Sequence, residues 1–370
     1  MAVKPLSTSA LPPRGARSRN KKRSIGQSLM QVTLISFLVL SFLFSGWFFF
    51  TASGSNLRYL MADTLITTQH RHWAKYLIGS EALQQRVDDY WKKFDQMGEE
   101  KDKGLVKVEA PPSNSAKKPP VVVKPIEGTN YKGYLVTVSD PKNLKVIVPE
   151  KSGKGEKVSS MVKRTGAIAG VNGGGFIDPE WKGNGFQPEG IVLSGGKIYY
   201  NDGNLNSVKH VVGIDKDGRM VAGKYKVSEL LEMGVQEAVS FSPRFIVNGV
   251  GQIKNQSAGW GIAPRTCMAQ TKDGEILFLI IDGRQKHSIG ASLYDAQQIL
   301  LEHGAVTAAN LDGGASTVLV YEDKIVNKPS SEYGERYLPT AWLVFDQPEN
   351  VKVKNIWEGL DIRKIDPSKW

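Results

Sequence analysis

The chain has 370 residues, of which 41% are hydrophobic, and it carries a formal net charge of +11. The excess positive charge lies in two segments, residues 1–28 (+7) and residues 101–124 (+4), so the rest of the chain is near neutral. This distribution argues against nucleic-acid binding as the main function, because such a function needs basic residues on the folded surface. The apolar content is enough for one or two globular cores.

The basic residues 1–28 form a tail that precedes an uncharged, apolar stretch centred on residues 29–50. As a helix this centre would be about 33 Å long, close to the hydrocarbon thickness of a bilayer. Because the basic residues come first, we expect a single-pass anchor in the cell membrane, with a cytoplasmic N-terminus and an extracytoplasmic remainder. The alternative is a cleaved signal peptide, for which the small residues at 52–54 are suitable; the length of the apolar run favours the anchor.

The next two segments connect this span to the globular part. Residues 51–98 lack proline and repeat apolar residues at intervals of three and four, which predicts a helical stalk. Residues 99–127 are rich in Lys and Pro and predict an extended linker. Cys267 is the only cysteine, which excludes an intramolecular disulfide and is typical of an exported protein from a bacterium with a single membrane.

Residues 128–346 alternate short apolar strands with glycine turns, and residues 347–370 are predicted to be a polar tail. Three hairpins are predicted, at Gly195-Gly196, Asp217-Gly218 and Asp273-Gly274. The segments KVSELLEMG and SLYDAQQILLEHG are predicted helices, the second with a capping box at Ser292 and Asp295. We therefore predict an α+β fold: a mixed β-sheet domain with hairpins and a strand–helix–strand unit, preceded by a transmembrane helix and a helical stalk.

The strand–helix–strand unit covers residues 275–310 and predicts where polar residues meet. Such units usually place their strands parallel in one sheet, so the carboxyl ends lie at one edge, where open sheets bind ligands. One strand ends in Asp282-Gly283-Arg284, and the other ends in Asn310-Leu311-Asp312-Gly313-Gly314, followed by Ser316. Taken alone, Asp312-Gly313 would also suit a simple hairpin turn. A third apolar strand ends in Asn172 and a run of three glycines.

Five motifs, in this order between residues 165 and 345, resemble the phosphodiester glycosidase family: VNGGGFID, APRTCMA, DGRQKHSIGASLYDAQQIL, AANLDGGASTVLV and VNKPSSEYGER. The chain departs from the family pattern at Ile177 and Ala315. The resemblance implies hydrolysis of a sugar-1-phosphodiester, which we expect to belong to a cell-surface polysaccharide or glycoconjugate. No cofactor is expected, and no residue spacing requires a metal, although clustered acids could bind calcium. The alternative is a non-catalytic module that binds an envelope glycan or teichoic polymer as a scaffold.

The chemistry that the resemblance implies gives each polar residue a role. A carboxylate must stabilise or attack an oxocarbenium-like state, and Asp312 is the first candidate, followed by Asp282 and Glu335. Guanidinium groups suit the phosphate, amides suit sugar hydroxyls, and backbone N–H groups beside a hydroxyl suit an anion. The predicted substrate-binding residues are Asn172, Arg265, Arg284, Asn310, Gly313, Gly314, Ser316 and Arg336. A structural ion pair with Asp282 or Glu335 is an equal alternative for Arg284.

Overall fold

The computed structural model describes residues 25–108 and 118–369. The basic side chains of the predicted cytoplasmic tail lie outside these described residues. The described residues divide into two compact units, one that ends at Ser55 and one that begins at Asn56.

The helices of the described residues agree with the predicted order of an apolar helix, a helical stalk and a mixed domain. They are α1 Ile25–Phe50, α2 Ala52–Ile66, α3 Lys75–Ile78, α4 Ser80–Met97, α5 Val158–Thr165, α6 Val227–Glu232 and α7 Leu293–Glu302. Within α1, the 23 residues from 28 to 50 are long and apolar enough to cross a membrane, a criterion that an N-terminal signal sequence also meets. Both alternatives for this helix therefore stay open.

The strands form three antiparallel sheets. The strands are β1 Val121–Glu127, β2 Lys132–Val138, β3 Leu144–Ile147, β4 Ala169–Asn172, β5 Ile191–Ser194, β6 Lys197–Asn201, β7 Val208–Asp215, β8 Met220–Lys226, β9 Val235–Ser240, β10 Arg244–Val247, β11 Val250–Gly251, β12 Arg265–Thr271, β13 Ile276–Ile281, β14 Ala305–Asn310, β15 Leu319–Tyr321, β16 Lys324–Ile325 and β17 Ala341–Val344. Their orders are β1-β2-β13-β12-β14-β10-β11, β16-β15-β4-β17-β3 and β6-β5-β9-β7-β8. The predicted α+β class is confirmed.

The strand–helix–strand unit lies in the seven-stranded sheet. Strand β12 is antiparallel to both β13 and β14, so β13 and β14 run parallel to each other on either side of it. Helix α7 connects them, and it starts with the predicted capping box between Ser292 and Asp295. Asp282 and Asn310 therefore lie at the same edge of the sheet, as the sequence predicted.

The three predicted hairpins are present as the pairs β5–β6, β7–β8 and β12–β13. The segment around Asp312 is different, because the strands on its two sides belong to different sheets. Strand β14 pairs with β10 and β12, whereas β15 pairs with β4 and β16. Residues 311–318 thus cross from one sheet to another, which excludes the hairpin alternative for Asp312-Gly313.

The stalk residues 56–98 pack against the domain. Trp260 of the domain inserts among stalk aromatic rings, with ring centroids 4.0 Å from Tyr90 and 4.8 Å from Phe94. Gly261, at φ +63°, allows the backbones to approach, since a Cβ there would lie 2.5 Å from the carbonyl carbon of Asp63. The Thr64 hydroxyl also accepts a hydrogen bond from the backbone N–H of Ile262 at 3.1 Å. This part of the stalk is a layer of the fold.

Two segments predicted as linker and tail are also parts of the fold, and those predictions were wrong there. Val121–Glu127, inside the predicted linker, is strand β1 and pairs along its whole length with β2, because its β-branched run suits an edge strand. In the predicted polar tail, Ile356 and Trp357 are buried, and Trp357 Nε1 donates to the Phe186 carbonyl at 3.1 Å. Burial of these apolar side chains holds the C-terminal segment against the domain.

Candidate active site

A cavity of about 780 Å³ opens at the edge where β4, β13 and β14 end. Eight of the eleven predicted site residues line it, namely Arg265, Arg284, Asn310, Asp312, Gly313, Gly314, Ser316 and Arg336. This volume is in the usual range for a small-molecule site. The structure therefore brings most of the predicted site together around one space.

Asp312 is the carboxylate of this cavity that burial desolvates most strongly. Burial raises the pKa of Asp312 to about 7, against the lowering effects of the Ser316 hydroxyl and of Arg336. Glu189 and Asp178 add negative charge that raises the pKa further. None of the described residues hydrogen-bonds its Oδ2 atom. Asp312 is therefore able to take up and release a proton near neutral pH.

Backbone contacts hold Asp312 at the crossing between the two sheets. Its N–H donates to the Gly173 carbonyl at 3.2 Å, and its carbonyl accepts from Asn172 Nδ2. The amide oxygen of Asn172 accepts from the Thr266 hydroxyl at 2.8 Å and from the Val318 N–H at 3.1 Å. Asn172 thus connects the backbone of Asp312 to strand β12 and to the residue before β15. Its contacts give it a positioning role, whereas the sequence predicted contact with substrate.

Arg284 lies over the glycine corner and makes no ion pair with Asp282 or Glu335, the alternative considered for it. Its Nη2 donates to the carbonyl of Thr67 in the stalk at 2.8 Å. Gly314 has φ +60°, and a Cβ there would lie 3.2 Å from Arg284 Nη1. Glycine at 314 therefore serves both the turn and the position of the guanidinium. Burial lowers the pKa of Arg284, which increases the benefit of an anionic ligand.

The other two predicted arginines of the cavity, Arg336 and Arg265, are held by protein groups. Arg336 Nη1 pairs with Asp178 Oδ2 at 2.8 Å, and its guanidinium lies 4.9 Å from the centroid of the Phe176 ring. This pair lies beside Asp312, whose pKa Arg336 lowers. Asp178 also accepts from the Gly183 N–H at 2.6 Å, so it serves both the ion pair and a turn.

Arg265 is almost fully buried, and its donors are directed at backbone carbonyls. Its Nε donates to the Ala291 carbonyl at 3.0 Å, and its Nη2 donates to the carbonyls of Trp260 and Gly261 at 2.9 and 3.0 Å. Burial lowers its pKa to about 10. Arg265 therefore supports the wall of the cavity, and Arg284 and Arg336 are better placed for a phosphate.

Glu189 faces the same cavity, and it is not among the site residues predicted from the sequence. The residue is exposed to the cavity, and desolvation by the surrounding walls raises its pKa, with a further contribution from Asp202. The glycine run 173–175 packs tightly here: a Cβ at Gly175 would lie 2.8 Å from Glu189 Oε2. A Cβ at Gly174 would lie 2.7 Å from the carbonyl oxygen of Ser240. These glycines allow close packing inside the protein and bring Glu189 towards Asp312.

Asp282 and Glu335, the other predicted catalytic carboxylates, are occupied by hydrogen bonds away from the lining of the described cavity. Asp282 Oδ1 accepts from Asn327 Nδ2 and from the Lys328 N–H, each at 3.0 Å, and its Oδ2 lies 3.0 Å from His287 Nε2. Both Glu335 oxygens accept from Ser159, in the first turn of α5. These contacts give both carboxylates a positioning role, and a direct catalytic role stays a prediction.

A larger cavity, of about 1030 Å³, lies between the stalk and the loop 252–258. The buried one of its two aspartates, Asp63, receives a bidentate pair from Arg86 and a hydrogen bond from the Tyr90 hydroxyl at 2.7 Å. Because all of these groups satisfy one another, this space offers no reactive group comparable with Asp312.

Comparison with known proteins gives the family that the segment around this cavity matches. Residues 165–345 match the model of the family described as phosphodiester glycosidase. The chain carries a phosphodiester glycosidase domain. The matched segment contains every predicted catalytic and substrate-binding residue, whereas the stalk lies before it. The glycosidase domain and the stalk together line the cavity.

Two curated relatives match the glycosidase domain at low identity. The SPbeta prophage-derived uncharacterized protein YomE of Bacillus subtilis is 27% identical over 213 residues, covering 55% of this chain and 32% of YomE. Mouse N-acetylglucosamine-1-phosphodiester alpha-N-acetylglucosaminidase is 25% identical over 233 residues, covering 56% of this chain and 43% of the mouse protein. The chain thus spans less than half the length of either relative.

A solved structure shows the same fold. The catalytic domain of zebrafish N-acetylglucosamine-1-phosphodiester alpha-N-acetylglucosaminidase, auto-inhibited by its pro-peptide, superposes with a TM-score of 0.53 at 23% identity. The match covers 65% of this chain and 87% of the zebrafish chain. The phosphodiester glycosidase fold therefore extends well beyond the residues that the family model matches.

Proposed function

We propose that the protein is a hydrolase that cleaves a sugar-1-phosphodiester in a cell-surface polysaccharide or glycoconjugate. The observation that carries this proposal is Asp312, a carboxyl group whose pKa is raised to about 7 beside guanidinium groups in one cavity. The match of this segment to the phosphodiester glycosidase family supports it. A module that only binds glycan has no need for a carboxyl group whose pKa is raised towards neutrality.

In the proposed reaction the bond between the anomeric carbon and the phosphate oxygen breaks, and its electron pair leaves with the phosphate. Water supplies the new oxygen at the anomeric carbon. The ionised Asp312 carboxylate either takes the proton from that water or attacks the carbon first and is then released by water. A phosphate is a far better leaving group than an alcohol, so a strong general acid is not needed.

The other groups of the cavity bind the two ends of the substrate. Arg284 is the candidate for bidentate contact with the phosphate, helped by Arg336. Glu189 and Asn310 face the same space and suit sugar hydroxyls. Glu189 also adds negative charge that stabilises a positively charged sugar ring in the transition state.

The experiment that tests this function uses the full chain in detergent with a sugar-1-phosphodiester, such as a UDP-sugar, across several sugars. We expect saturable release of free sugar together with the intact phosphate product. Binding without release of sugar from any substrate would support the glycan-binding module instead. Formation of a new phosphate-containing product without free sugar would show that the protein cleaves a different bond.

We further propose that α1 anchors the protein with its glycosidase domain outside the cell. The length and composition of the apolar helix support this location. Protease added to intact cells should then remove the chain beyond about residue 51 and leave a small membrane-bound fragment. A soluble domain in the medium, with a new N-terminus near Ser55, would show that the helix is a signal peptide.

A further inference from the structure

The stalk contributes side chains to the cavity that holds Asp312. Arg71 and Trp91 line that cavity, and they come from two different parts of the stalk. Arg71 Nε donates to the Ile66 carbonyl at 3.1 Å, which holds the side chain against α2. Trp91 is half-exposed and lies edge-on to Trp260, with ring centroids 6.2 Å apart. One wall of the cavity is therefore made by residues outside the segment that matches the family.

Buried polar and apolar contacts within the stalk hold this wall in place. Asp63 is buried in the stalk and accepts from Arg86 and from the Tyr90 hydroxyl. Ala62 and Ile66 are fully buried beside it. The stalk does not fill the cavity, which keeps a volume of about 780 Å³ with Asp312 and Glu189 on its lining. The stalk thus borders the space as a wall.

A series of contacts along the cavity leads from Asp312 to the stalk. Asp312 is two residues from Gly314, the guanidinium of Arg284 lies over Gly314, and Arg284 also bonds to the Thr67 carbonyl. Arg71 follows Thr67 by four residues, across the turn after α2, and lines the same cavity. A sugar at Asp312 with its phosphate at Arg284 therefore directs the group beyond the phosphate towards the stalk.

We propose that Arg71 and Trp91 form the subsite for the leaving group, and that this group carries a second anionic charge and a ring. This inference rests on the proposed function and names its substrate class. The exposed guanidinium of Arg71 matches a second phosphate or a carboxylate. The half-exposed indole of Trp91 offers a face for a sugar or base ring. The enzyme thus distinguishes substrates by what lies beyond the phosphodiester.

The test compares two substrates with the same sugar, one with a methyl leaving group beyond the phosphate and one a UDP-sugar. We expect Arg71→Gln and Trp91→Ala each to lower kcat/KM for the UDP-sugar by about tenfold, the size of one lost charged hydrogen bond or aromatic contact. The methyl phosphodiester, which does not reach the stalk, should change less than about twofold.

The stalk supplies matched controls. Trp73 is 49% exposed, close to the 52% of Trp91, and it does not line the described cavity. Arg58, like Arg71, donates to a backbone carbonyl within the stalk, that of Leu77 at 3.2 Å, and it also lies outside that lining. Trp73→Ala and Arg58→Gln should leave both substrates unchanged. Melting temperatures of all four variants show whether the fold is kept.

Three results would overturn the subsite. Equal losses for both substrates would show that the residues act through the fold, and no loss for either would show that the leaving group lies elsewhere. A gain in rate would show that the stalk obstructs the site. Calorimetry measures the affinity of the protein for the same two ligands independently of hydrolysis. A failure of the proposed function can therefore be distinguished from a failure of this inference. If the wild-type chain binds without hydrolysis, the variants should still lose affinity for the UDP-sugar alone.

Discussion

Asp312 and Asp282 follow two parallel strands of one sheet, but their surroundings differ. Asp282 Oδ1 accepts two hydrogen bonds and its Oδ2 faces His287, whereas none of the described residues bonds Asp312 Oδ2. A carboxylate whose oxygens accept from several protein donors is held in place. A carboxylate that is buried with one oxygen left without a donor has a raised pKa and is available for chemistry. Equivalent positions after two parallel strands thus hold one carboxylate that positions its neighbours and one that is available for chemistry.

The largest expected effect is that of Asp312→Asn. The substitution keeps the shape but removes the charge, so turnover should fall by about a hundredfold or more. Release of sugar from a sugar-1-phosphodiester measures this loss. Retained activity in a folded Asp312→Asn variant would remove Asp312 from the mechanism.

The same variant has a predicted effect on stability with a definite sign. Burial raises the pKa of Asp312 from 3.8 to about 7, so the folded state keeps a proton that the unfolded state releases between these values. The stability of the wild type therefore falls as the pH rises through this range, and Asn removes the fall. Above pH 7 the variant should be more stable, by on the order of 2 kcal/mol at most because the cavity admits solvent.

Glu189→Gln should have an intermediate effect. Glu189 lines the same cavity as Asp312 and contributes charge without being the reacting group, so kcat should fall by about tenfold. The hydrogen-bonding shape is kept, and KM should change little. A loss as large as that of Asp312→Asn would make Glu189 a principal catalytic carboxylate. Unchanged kcat would leave it as part of the wall.

The smallest effect on turnover is expected for Asp282→Asn. The Asn oxygen is able to accept from Asn327 and Lys328, and its amide is able to donate to His287, so kcat should stay within about threefold. Asp282→Ala leaves those buried donors unsatisfied and should cost about 3 kcal/mol of unfolding free energy. Chemical denaturation and sugar release measure the two effects. A hundredfold loss of turnover in a stable Asp282→Asn variant would restore Asp282 as a catalytic residue.

The sequence predicted those parts of the site that depend on local patterns. The strand–helix–strand unit follows from an apolar run, a capped helix and a second apolar run, and it brings Asp282 and Asn310 to one edge. The environment of each carboxylate depends on distant segments. Asp282 receives its partner from Asn327, 45 residues later in the chain. No local pattern predicts that pairing.

Glu189 and the stalk show the same limit. Glu189 lies in a loop before β5, and it enters the site because Gly175 lets the chains approach closely. The stalk has the periodicity of a helix, which predicts its secondary structure but not the surface that it covers. That surface is set by Trp260, which inserts among Tyr90 and Phe94.

The pH dependence of kcat/KM is the most direct test of the central claim, that Asp312 acts as an ionised carboxylate with a pKa near neutrality. For the wild type we expect the rate to rise with pH and to reach a plateau above an inflection at about pH 7. Glu189→Gln should keep an inflection but move it to lower pH, because the charge of Glu189 raises the pKa of Asp312. The residual activity of Asp312→Asn should lack the inflection. A rate that falls above pH 7, or an inflection that remains in Asp312→Asn, would contradict the account.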